Sequence, residues 1–207
     1  MKRQKTRKKK GKFLRTILII SALLLTASIF LYQNGRIAGQ WHSPNLEQIA
    51  RQKIQEELNK QVEGLGTELD LTTLLKQQQV ILEVKDDRAT LKLTATLDKE
   101  ALLASIGISA DSFLAETLTA TLEQAMTTTL QNQGIHYDSA KGTLSTTLFE
   151  GQLNPLFHII TIETITTAPW TGLETTGLKE GSVIPYWRSG STISFAGNHD
   201  YRFNKLP

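Results

Sequence analysis

Apolar and polar positions change their spacing several times along the chain, and each change predicts a different element. Residues 16–32 read TILIISALLLTASIFLY, seventeen positions without a charge, with Phe13 and Leu14 extending the apolar character past Arg15. At about 1.5 Å per residue this run covers a hydrocarbon core near ~30 Å, with Arg15 reaching back to the interface. Beyond it, Leu46, Ile49, Ala50, Ile54, Leu58, Val62 and Leu65 recur at three- and four-residue steps. That spacing predicts an amphipathic helix over 44–63, opened by Ser43-Pro44 as N-cap and first helical residue and closed by Gly64.

After a short helical or irregular piece at 70–76 the period becomes two. Val80, Leu82 and Val84 share one face, and beyond Asp86-Asp87 so do Leu91, Leu93, Ala95 and Leu97, which predicts a β-hairpin. Asp98 caps a short helix ending near Ser105. Leu114, Leu118, Leu122, Met126 and Leu130 then mark a longer one, from about Ala110 to Gly134. The last third predicts strands: 135–138 and 143–149, 157–166, 183–188 pairing with 192–195 across Ser189-Gly190, and 201–203. The fold class is α+β: an N-terminal transmembrane helix, then an antiparallel, curled sheet with two or three inserted or packed helices.

Charge gives the first helix a direction. The chain has 23 basic and 20 acidic residues, but nine of the basic ones lie in the first fifteen positions, Lys8, Lys9, Lys10, Lys12 and Arg15 among them. Only Arg36 follows closely on the other side, so the positive-inside rule puts the N-terminus in the cytoplasm. Residues 37–207 keep 13 basic and all 20 acidic residues, a net charge of −7 that argues against nucleic acid as a partner of the main body. A cleaved secretory signal would need a small-x-small site after Phe30, and none is present. The expected organisation is a basic cytoplasmic tail at 1–15, a signal-anchor helix at 16–33, a linker at 34–40 and an extracytoplasmic domain at 41–207. Cysteine is absent, which excludes disulfides and thiolate metal sites, and the lack of any Asn-x-Ser/Thr sequon points to a bacterial source.

Catalytic signatures are scarce. Gly197-Asn198-His199-Asp200 resembles one element of the calcineurin-like metallophosphoesterases, but the Asp-x-His and Gly-Asp-x-x-Asp elements of that family do not occur upstream. The fragment reads more simply as a turn between two strands. His42, His136, His158 and His199 show no metal-binding spacing, no serine sits in a Gly-x-Ser-x-Gly turn, and there is no P-loop or dinucleotide fingerprint. No cofactor or metal is therefore expected. A hydrolase would have to assemble its site from residues distant in sequence, such as His158, His199 and Asp200.

The two ends of the domain carry a more suggestive pairing. Gly39-Gln40-Trp41 opens it, and Tyr186-Trp187-Arg188, Tyr201, Arg202 and Lys205 close it. This resembles the lipocalin-like (calycin) pattern, in which a Gly-x-Trp begins the first strand and a basic side chain from near the last strand covers that tryptophan. The resemblance implies a barrel, with Trp41 and Arg202 as the cation–π pair sealing one end. It also implies a small apolar ligand inside, in a cavity lined by Leu91, Leu93, Phe157 and Ile193. A second binding mode uses the turn-rich 169–178 stretch, where Trp170 is placed to contact another protein of the envelope. The expected function is thus a non-catalytic, membrane-anchored, extracytoplasmic binding or accessory protein, with Trp41, Trp170, Trp187, Arg188 and Arg202 as the candidate structural or binding residues.

Overall fold

The computed structural model describes residues 3–62, 71–105, 107, 109, 117, 119–121, 124, 127–128, 130–131, 134–166, 177–196 and 201–207. Helix α1 (Arg3–Gly35) is longer than the predicted 16–33. The Lys, Arg and Gln residues of the tail are good helix formers and nothing among them stops the turn. Its apolar stretch Thr16–Gly35 is long enough to cross a membrane, and of it only Gly35 is buried inside the protein. Leu18, Leu24 and Phe30 are all more exposed than covered, as a lipid-facing helix requires.

Among the described residues nine strands follow: β1 (Gly39–His42), β2 (Leu75–Lys85), β3 (Arg88–Leu97), β4 (His136–Asp138), β5 (Thr143–Asn154), β6 (Ile159–Ile165), β7 (Val183–Ser189), β8 (Thr192–Phe195) and β9 (Tyr201–Lys205). Each pairs antiparallel with its neighbour, β3 pairs with β5, and β9 returns to β1 through Trp41↔Lys205 and His42↔Asn204. The curl thus completes into a closed eight-stranded up-and-down barrel, with β4 continuing along the edge of β5 that β6 leaves free. Closure is possible because helices α2 (Pro44–Val62), α3 (Leu71–Leu74) and α4 (Lys99–Ser105) occupy connections at the strand ends and interrupt no ladder. Described residues between 117 and 131 are helical too, as the leucine spacing predicts.

Burial alternates most regularly on β3. On β3, Ala89, Leu91, Leu93, Ala95 and Leu97 are buried, and the residues between them face outward. The interior is filled by Trp41, Val80, Leu82, Phe149, Ile160, Ile193 and Phe203 with their neighbours, and α2 adds Leu46 and Ala50 to the same cluster. Ser43, fully buried, caps α2 by accepting the Leu46 amide at 3.4 Å.

The two ends of this barrel differ in construction. At one end strands are joined by tight turns: Asp86-Asp87, both with positive φ (48° and 61°) as a two-residue hairpin of the twist-matching kind needs, then 155–158, then Gly190-Ser191. The last turn of α1 packs against this end, so it is called proximal here. The distal end carries α2, the 98–135 connection, the 166–182 connection and the 196–200 connection.

Candidate functional site

At the distal end the alternation of β2 breaks. Lys76 pairs with Thr96 and Gln79 with Thr94, so Gln77 and Gln78 together face the single residue Ala95 in a β-bulge. Gln77 takes φ +51°, a conformation that non-glycine residues hold only when their surroundings enforce it. Gln78, two residues before Val80, stands in the inward phase of Val80 and Leu82, where it is only 4% exposed.

From Gln78 a polar chain runs outward. Arg51 Nε donates to Gln78 Oε1 at 3.4 Å, Arg51 Nη2 donates to Glu47 Oε1 at 3.1 Å, and Glu47 Oε2 lies 2.9 Å from His42 Nε2. A carboxylate only accepts, so that His42 nitrogen carries the proton. The Gln78 amide nitrogen is left without any partner. Such a buried, unmatched donor is rare in folded proteins, where the loss is on the order of 1–3 kcal/mol. Gln78 is one of the residues lining an open cleft of about 710 Å³, with His42, Glu47, Gln77, Gln79, Thr94, Ala95, Thr96 and Thr143. Beside the cleft Lys76 pairs with Asp98, whose Oδ1 also accepts the Ala101 amide at 3.0 Å and so caps α4. The Lys76 bond, followed by the Ala101 amide, pulls the Asp98 carboxyl below its ordinary range, and Asp98 in turn raises Lys76.

Chemically, this wall offers amide and hydroxyl donors with one compensated acid–base pair. It is suited to hydrogen-bonding an uncharged, oxygen-rich ligand. Among the described residues no group of three or more His, Cys, Asp or Glu is placed to hold a metal ion.

The residues singled out from sequence are distributed differently. Trp41 is fully buried at the proximal end and its Nε1 donates to Ile37 O at 2.7 Å. The cations over its ring are Arg188 at 5.9 Å and Lys205 at 5.7 Å. Arg202 is therefore not the partner: it is exposed on the outer face of β9, one residue out of phase with buried Phe203, whereas Lys205 pairs directly with Trp41. Trp187 is half exposed on the outer wall of β7.

Of the supposed cavity lining, Leu91, Leu93 and Ile193 are packed in the core, and Phe157 is 68% exposed outside the barrel. His158 lies in the proximal 155–158 turn, stacked on Tyr186 at 5.7 Å between ring centres. His199 and Asp200 belong to the connection between the distal ends of β8 and β9 and lie outside the described residues, as does Trp170. The described residues thus bring no hydrolytic set together around His158.

No family model, curated protein or solved structure matches this chain. The eight-stranded barrel is consistent with a lipocalin-like one, a likeness that rests on the strand order and on the covered tryptophan at the closed end. Sequence reasoning missed the cleft. The signal was there in Gln77-Gln78-Gln79, which puts a polar residue into the inward phase of Val80, Leu82 and Val84 just where a strand interior should be apolar.

Proposed function

We propose that this protein is a bacterial, membrane-anchored, non-catalytic binding protein of the cell envelope. In this reading the N-terminal tail lies inside, the barrel lies outside, and the distal cleft takes a small, uncharged ligand rich in carbonyl or hydroxyl oxygens. The observation that carries the reading is the buried Gln78 carboxamide: Oε1 is engaged by Arg51 while the amide nitrogen of this cleft-lining residue has no partner. A ligand oxygen would complete it. The packed interior argues for this rim site and against an apolar molecule inside the barrel. The orientation draws its support from the charge split around α1. The non-catalytic reading draws on the absence of a catalytic motif in the sequence.

The test is a native mass spectrum of the full-length protein, purified in nanodiscs from the membrane of its own host, beside the Gln78→Leu variant. An added mass on the wild type, absent from the variant and released by denaturation, is the expected result. A wild-type protein of bare mass, or an adduct equally present on the variant, would sink the proposal.

A further inference from the structure

Outside α1, the exposed large hydrophobic residues among those described are Phe157, Val183 and Trp187. Val183 opens β7 at the distal end. The other two belong to the proximal end, where the Tyr186 amide bonds to His158 O at 2.8 Å and so sets Trp187 near the 155–158 turn. Phe157 is 68% exposed and Trp187 50%.

Their position relative to α1 is fixed by several bonds. His158 Nε2 donates to Leu31 O at 3.3 Å, the Tyr186 hydroxyl donates to Gly35 O, and Arg188 Nη1 donates to Arg36 O at 2.9 Å. Gly35 sits so close to the turn that an added Cβ would meet Pro155 O at 1.8 Å. The barrel therefore supplies the partners that the last carbonyls of a helix lack. It grips α1 inside its apolar stretch, since Leu31 lies four residues, about 6 Å, before Gly35 at the end of that stretch.

We propose that the proximal end of the barrel is a membrane-binding surface: the 155–158 turn, with Trp187 near it, sinks Phe157 into the outer interface of the bilayer that α1 crosses. The inference rests on the reading of α1 as a membrane span. If the 16–35 stretch fills the hydrocarbon layer, a turn bonded at Leu31 cannot stand clear of the lipid. Exposed aromatic rings are the side chains that settle at that boundary. Charge agrees: Arg36, Lys85, Arg88, Arg188 and Lys205 belong to this end against Asp86 and Asp87, with Arg88 paired to Glu163, although residues 37–207 carry −7 overall. A cationic base under an acidic domain fits negative headgroups below and repels them elsewhere. The barrel is then seated on the membrane in one orientation, with its distal cleft held away from the surface.

The chain contains no cysteine, so single cysteines can be introduced at exposed positions without background. Full-length protein carrying Phe157→Cys, Leu24→Cys or Lys179→Cys, each spin-labelled, is reconstituted into phosphatidylcholine–phosphatidylglycerol vesicles. Power saturation then compares lipid-soluble oxygen with a water-soluble nickel chelate. The label at 157 should follow oxygen, as at 24, with nickel collisions several-fold fewer than at distal position 179. A label at 157 as open to nickel as that at 179, with 24 still in lipid, overturns the seated barrel and leaves the anchor standing. A label at 24 open to nickel overturns the membrane span and the proposal with it.

Discussion

The proximal end of the barrel spends its polar groups on itself, whereas the distal end leaves some unspent. At the proximal end the indole of Trp41, the phenol of Tyr186, the Arg188 guanidinium and the His158 ring each meet a backbone carbonyl of residues 31–37. At the distal end a bulge holds Gln77 at positive φ, and the amide nitrogen of buried, cleft-lining Gln78 is unmatched. Satisfied networks rigidify a structure, and unsatisfied ones mark where something else is to bind. The difference marks one end as support, and on the proposed function the other is where recognition takes place.

Trp41 is the point at which to break the supporting end hardest. Its side chain is fully buried, bonded to Ile37 O and covered by two cations. Trp41→Ala should destabilise the full-length protein by about 4 kcal/mol through the cavity and the lost contacts. Arg202→Ala, which removes the cation expected from sequence, should change stability by less than about 0.5 kcal/mol because that side chain is exposed. Denaturant unfolding in detergent micelles measures both, and equal effects would contradict the cation assignment.

Gly35→Val tests the seam between helix and barrel. A Cβ there collides with backbone at Pro155, not with the far end of a flexible side chain, so the seam must open. The expected loss is about 3 kcal/mol. Proteolysis should then gain access to residues 36–38, a stretch read from sequence as part of a linker, which the wild type holds tight with Ile37 fully buried. A variant as resistant as the wild type would mean that α1 and the barrel are only tethered.

That misread linker shows where legibility ended. The long apolar N-terminal helix, helix α2, the hairpin of β2 and β3, and the strand-rich last third were readable because each has its own pattern of apolar residues. Helix α2 begins and ends within a residue of its predicted bounds, since Ser43, Pro44 and the leucine spacing are local signals. Barrel closure was legible only through Trp41 and the basic residues near the C-terminus, because pairing of β1 with β9 joins positions more than 160 residues apart. The cation was misassigned since strand phase near the C-terminus depends on register, and a shift of one residue reverses which side chain faces in. The cleft depends on a bulge, and no periodicity predicts a bulge.

Tyr186 carries a smaller and pH-dependent share of the seam. Burial first, and then the nearby Asp87 carboxylate, push its phenol well above the ordinary tyrosine range. The folded protein thus holds the proton more tightly than the unfolded chain. This group's contribution is complete below about pH 10, the unfolded value, and declines as pH rises beyond it toward the folded value. Tyr186→Phe should cost about 1 kcal/mol at neutral pH by leaving Gly35 O without its donor. It should also flatten the loss of stability above pH ~10, leaving the slope due to Tyr201, whose phenol is raised by burial as well. Thermal melts across that range decide it, and an unchanged alkaline slope in the variant would refute the assignment.

The smallest expected effect has the opposite sign and separates the two ends most cleanly. Gln78→Leu removes a buried donor that has no partner and keeps a similar side-chain volume among Val80, Ala95 and their neighbours. What is lost is a long 3.4 Å bond from Arg51, whose guanidinium keeps its bond to Glu47. Replacing an unmatched polar group by an apolar one of the same shape is neutral to mildly stabilising, so stability should stay equal or rise by up to about 1 kcal/mol. A support residue would show the reverse. Full-length Gln78→Leu that melts at or above the wild-type temperature would identify a position kept for a reason other than stability. A clear fall would mean that the carboxamide is satisfied in the folded protein and that the distal cleft is only part of its framework.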